Sequence, residues 1–150
     1  MRVRLRSAVV FLLLAVGAAV HAQAPSTLTP AALVGCYDLT VSEWSPEYHS
    51  AYHRIPARIR LDSVAAARGG WMVSPDISYP TPSRFPGTPR WTVTNDTIQI
   101  VWSNGFQPTV VRLVQPKPGE LSGHAVARSD ANEYGHNPPR ANVTARRVPC

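Results

Sequence analysis

Trp91-Thr92-Val93-Thr94-Asn95-Asp96-Thr97-Ile98-Gln99-Ile100-Val101-Trp102 is the stretch that decides the fold class. Trp91 and Val93 alternate with Thr92 and Thr94, and Ile98, Ile100 and Trp102 alternate with Thr97, Gln99 and Val101. A period of two is that of a strand with one buried face. Between the two runs, Asn95 and Asp96 are residue types that tolerate positive φ, as a two-residue hairpin turn requires. The unit is a β-hairpin whose apolar face carries two tryptophans.

The same period recurs on both sides of this hairpin. Upstream, Tyr37, Leu39 and Val41 alternate with Cys36, Asp38 and Thr40, and 57–61 and 70–73 read as two further strands. Downstream, strands are expected over 110–114, 121–127 and 141–148. Ser45-Pro46-Glu47 has a helix start, with serine at the N-cap and proline in the first turn, so one short helix is expected after the first strand, ending by Arg54. All 15 prolines follow residue 24 and gather between the apolar runs, as stiff loops between short strands would have them.

Loop lengths then choose the topology. The connections after strands one, three, five and seven are long (43–54, 74–89, 103–108 and 130–140), whereas those after strands two, four and six are shorter. In an up-and-down antiparallel sheet alternate connections share an end, so the long loops crowd one end and the turns the other. Eight strands can close, because the first and eighth run antiparallel. Closure brings Cys36 and Cys150 to the same end. The expected fold is all-β: an eight-stranded up-and-down antiparallel barrel.

The two cysteines, Cys36 and Cys150, fit one disulfide in an oxidising compartment. The amino terminus agrees. Arg2, Arg4 and Arg6 precede an apolar run of about thirteen residues from Ala8 to Val20, too short to span a bilayer as a helix. Ala22-Gln23-Ala24 supplies a small-x-small cleavage site. Residues 1–24 are therefore expected to be a secretory signal peptide and 25–150 a single β-barrel domain, secreted or periplasmic. The competing reading is a lipoprotein anchored through Cys36, since Leu33-Val34-Gly35-Cys36 has lipobox composition. Cys36 lies far beyond the apolar run that such a signal needs to adjoin.

The charge balance excludes one function class. Of 15 basic residues three lie in 1–24, leaving twelve against 9 acids, or about +3, with no basic run and Lys117 the single lysine. No nucleic-acid partner is expected.

Gly35-Cys36-Tyr37 at the start of the first strand resembles the Gly-x-Trp motif of the lipocalin or wider calycin superfamily, with tyrosine for tryptophan. The resemblance implies a lipocalin-like barrel over about the whole chain after residue 24. It also implies that Arg146 or Arg147 packs over the Tyr37 ring. The family's middle motif is not evident.

The site candidates are aromatic. Trp44, Tyr48 and Tyr52 belong to the first long loop, Phe85 to the second and Phe106 to the third, with Trp71, Trp91 and Trp102 on the apolar strand faces. Barrel mouths favour pockets that are mostly apolar with a few polar groups, so a small apolar ligand is the expected partner. The same aromatics equally suit a plug of side chains that fills the mouth. Small residues on the seventh strand (Gly123, Ala125, Ala127) either leave room for a ligand or receive large side chains from opposite.

No catalytic residues, metal or cofactor are expected. His49 and His53 are four apart, one two-histidine arm, and only His136 is at hand as a third ligand. Ser103, His124 and Asp130 lack the elbow that presents a serine nucleophile. An exported non-enzymatic ligand binder or envelope-associated domain is the leading expectation. A hydrolase or metal-dependent enzyme using His49, His53 or His124, and an inhibitor-like module presenting proline loops, are its alternatives.

Overall fold

A computed structural model of the chain describes residues 28–45, 55–74, 87–103, 107–128 and 136–150. They form one short helix, α1 (Pro30–Leu33), and eight strands: β1 (Gly35–Val41), β2 (Arg58–Ala65), β3 (Trp71–Ser74), β4 (Gly87–Thr94), β5 (Thr97–Ser103), β6 (Thr109–Lys117), β7 (Glu120–Ala127) and β8 (Arg140–Val148). Each strand pairs antiparallel with the next, and β1 pairs with β8 from Cys36↔Val148 to Val41↔Val143. The barrel is closed and up-and-down, as the loop lengths require, and it is compatible with a lipocalin-like fold. Closure leaves no unpaired sheet edge among these strands.

Asn95 and Asp96 both have positive φ (47° and 59°), the conformation that their residue types allow in a tight hairpin. Cys36 and Cys150 are bonded, with Cα atoms 5.2 Å apart across the β1–β8 seam. The helix expected at Ser45–Arg54 falls on 46–54, outside the described residues. The described helix precedes β1 instead, and Thr29-Pro30 carries the same cap-and-proline signature that marks Ser45-Pro46. β4 begins earlier than its expected start at Trp91 and includes Pro89. Its register against β5 shifts between Gly87 and Arg90, and such an irregularity accommodates a residue with no N–H to give the ladder.

The segment 28–34 closes the short-turn end. Leu33 is fully buried in the barrel core, and its carbonyl accepts from the Tyr37 hydroxyl at 2.8 Å. Asp96 Oδ1 in the β4–β5 turn accepts from Leu28 N at 2.8 Å. Arg147, not Arg146, lies over the Tyr37 ring at 5.9 Å, and it donates to the carbonyls of Ala32 (2.8 Å) and Val34. Strand parity explains the choice, because Ala141, Val143 and Ala145 are buried while Arg146 follows the outward set. Gly35 has φ 148°, and a Cβ there would meet Arg147 Nη2 at 2.9 Å, so the motif glycine makes room for the guanidinium. Burial holds the Tyr37 hydroxyl above its ordinary pKa, against a smaller opposing pull from Arg147, so it stays a donor.

A ladder of alternating charge crosses the outside of the seam. Arg58 forks onto Asp38 at 2.6 and 3.0 Å; Asp38 is the cross-strand partner of Arg146, Arg146 of Glu120, and Lys117 meets Glu120 at 3.0 Å. The Arg58 hydrogen bond lowers the Asp38 pKa, with a further contribution from the arginine's charge. A lowered folded-state pKa gives stability that is present above the ordinary carboxylate range and lost as pH falls through the folded value. Asp38→Asn should therefore melt below the wild type at neutral pH, and the two curves should converge in acid. Equal melting temperatures at neutral pH would show that the pair contributes nothing.

Candidate functional site

The long-loop end is set by the exits of β1, β5 and β7. Trp102 lies one residue from the end of β5, on the inward parity of Ile98 and Ile100, and is 2% exposed. Its cross-strand partner is Thr109, also buried, which pairs in turn with Ala127 of β7. The Trp102 Nε1 donor is buried, with no acceptor among the described residues. Leaving such a donor unmade costs about 1–3 kcal/mol, so the position calls for a physical account.

Trp44 reaches this end through a bulge. Val41 pairs with Val143, Ser42 N donates to Asn142 O at 2.9 Å, and Ser45 bridges Arg140 through reciprocal backbone bonds of 2.8 and 3.1 Å. Glu43 and Trp44 thus oppose Ala141 alone. Simple alternation would aim Glu43 inward and Trp44 outward; the extra residue reverses both. Glu43 is exposed, and Trp44 packs against the core.

The other sequence candidates divide. Trp71 and Trp91 lie on the short-turn side of Trp102, with ring centroids 4.9 Å apart, and Trp91 Nε1 donates to Asp62 O at 2.9 Å. Tyr48, Tyr52, Phe85 and Phe106, with His49, His53 and Asp130, lie outside the described residues.

Between the tryptophans and α1 the barrel is filled. Tyr37, Leu61, Trp91, Ile98, Ile100, Val111 and Ala125 are all 0% exposed. A void able to hold water would leave its lining partly accessible, so none adjoins these side chains. Ala125 of β7 and Ala145 of β8 belong to the same buried cluster as Trp91 of β4 and Ile98 and Ile100 of β5. Gly123 has a separate reason to be small, since a Cβ there would fall 1.9 Å from Arg112 O of β6.

Among the described residues, two clefts of the outer wall fall outside the sites expected from sequence. One, of about 420 Å³, lies at the bulge and is lined by Ser42, Glu43, Ser45, His124, Arg140 and Asn142. The other, of about 460 Å³, lies over the charge ladder, where Asp38, Glu120 and Arg146 already face one another. Strand parity shows that His124 and Asn142 face outward, but their meeting with Ser42 depends on a pairing between residues 100 apart in sequence.

Among the described residues, no group of three or more His, Cys, Asp or Glu side chains could hold a metal ion. None of their helices is long and apolar enough to cross a membrane. In comparisons with protein-family models, curated proteins and solved structures, nothing matched this chain.

Proposed function

We propose that this chain is an exported, lipocalin-like, non-enzymatic barrel that binds a small, mostly apolar ligand with one hydrogen-bond acceptor at its long-loop end. The observation that carries this reading is the buried Trp102 Nε1 donor, which has no acceptor among the described residues. A ligand carbonyl or ether oxygen there would recover the cost of that donor, while Trp44, Thr109 and Ala127 supply a largely apolar surround. The filled closed half supports a site at the long-loop end over a deep calyx. Export is supported by the amino-terminal pattern and by the Cys36–Cys150 bond.

The test uses a propionyl-dimethylaminonaphthalene fluorophore, which has an apolar body and a single carbonyl acceptor. It should bind the wild type, and Trp102→Phe should weaken it more than tenfold, or about 1.4 kcal/mol. Asp96→Asn, in the turn at the opposite end, should leave binding unchanged. No binding to the wild type, or equal binding to Trp102→Phe, would sink the ligand reading. The filled interior would then favour a solid, envelope-associated domain.

A further inference from the structure

We infer that the cleft beside the β1 bulge is a second, polar binding site, on the outer wall, for a small acid that carries a hydroxyl or ammonium group near its oxyanion. Three observations converge on it.

First, the register lines up donors. Gln99 pairs with Arg112, Arg112 with His124, and His124 with Asn142, so a row of polar side chains crosses the outside of β5–β8 and ends at the cleft. Arg140, two residues before Asn142 and on the same outward parity, completes the cleft's rim. Neighbouring strands are about 4.8 Å apart, so His124 and its cross-strand partners present donors at a spacing that one small molecule can bridge.

Second, charge is segregated along the barrel. Asp38, Asp62 and Glu120 are each engaged by Arg58, Arg60 and Lys117 on the seam and short-turn side. Arg112 and Arg140 have no carboxylate partner among the described residues; Arg112 reaches only the Gln99 amide, at 3.5 Å. A guanidinium offers a planar fork of donors that suits a carboxylate or phosphate, and the exposed Arg140 presents one.

Third, the bulge itself shapes the site. By reversing the parity of Glu43 and Trp44 it sets one carboxylate on the outer rim, facing a cleft whose lining also holds Ser45, His124, Arg140, Asn142 and the apolar Ala141. An acceptor-only group there repels a bare anion and favours a ligand with a donor next to its oxyanion. The Ser42 hydroxyl is committed, accepting from Asn142 N at 2.9 Å and donating to Glu43 O at 3.0 Å, and so it braces the rim. The site lies on the outer face and is independent of Trp102.

Two probes separate the parts of the proposal: glucuronate, an oxyanion with adjacent hydroxyls, and acetate, an oxyanion alone. Nuclear magnetic resonance titration should show saturable shifts at the His124 ring and the Arg140 Nε–H with glucuronate, and at least fivefold weaker binding of acetate. Arg140→Gln should lower glucuronate affinity at least tenfold. Glu43→Gln should abolish the preference over acetate. Arg68→Gln, in the β2–β3 turn at the opposite end, should change neither affinity, and all variants should melt with the wild type. Shifts that do not saturate, or an equal loss in Arg68→Gln, would overturn the site. Retention of the glucuronate preference in Glu43→Gln would overturn the role given to the carboxylate.

Discussion

Trp91→Ala is expected to lower stability by about 3–5 kcal/mol, toward the upper end of that range. Trp91 is 0% exposed, lies 4.9 Å from the Trp71 ring centroid, and donates to Asp62 O at 2.9 Å. Truncation would lose the transfer free energy of the indole, strand the Asp62 carbonyl and open a cavity. A closed hydrogen-bonded cylinder resists collapse, so the cavity term persists. The loss is a large part of a total that for such domains is about 5–15 kcal/mol. Urea denaturation should show a lower midpoint with an unchanged slope. A loss under about 1 kcal/mol would mean that the interior is loosely packed around this ring.

The barrel was legible because its signals are redundant. Period-two alternation gave the strand faces, alternate long and short connections gave the topology, and Cys36 with Cys150 independently gave the closing pair. These readings rest on local periodicity and on chain length, both of which survive in a single sequence. What escaped depends on relations between strands. The early start of β4 needs a register shift around Pro89, which no pattern within 87–94 announces. The choice between Arg146 and Arg147 is settled by carrying the inward parity of Ala141, Val143 and Ala145 one step further. Helix α1 was announced by Thr29-Pro30, but four residues are too few to show a period.

The site was only partly legible, for a related reason. Alternation with Gln99 and Val101 puts Trp102 on the apolar face of its strand, and that face is buried. That the Trp102 N–H has no acceptor among the described residues is a property of the surrounding atoms, invisible to residue type. By sequence Trp44 belongs to the first long loop, yet its packing against the core depends on two residues of β1's exit opposing Ala141 alone. A bulge is a mismatch of count between two strands, so one strand's sequence cannot show it. The outer cleft combines this same bulge with the registers of β6, β7 and β8, and that is why Glu43, His124 and Arg140 were not grouped.

Cys150→Ser should cost about 2–5 kcal/mol while leaving a β-rich barrel. The bond joins residues separated by 114 in sequence, and chain entropy assigns such a loop about 4–5 kcal/mol as an upper figure. In the folded state the bond fastens a seam that is already held elsewhere. Six cross-strand pairs join β1 to β8, and Arg147 ties β8 to the carbonyls of Ala32 and Val34. Most of the effect should therefore arise in the unfolded ensemble, which expands once the cross-link is gone. Expansion exposes more surface on unfolding, so the denaturant slope of Cys150→Ser should rise as its midpoint falls. Amide exchange distinguishes this from a role in the native seam. If the bond acts on the unfolded chain, protection should drop by a similar free energy across all the core strands. A drop confined to Cys36–Asp38 and Arg146–Val148, with the rest of the barrel unchanged, would mean that the bond instead prevents local fraying where β1 meets β8.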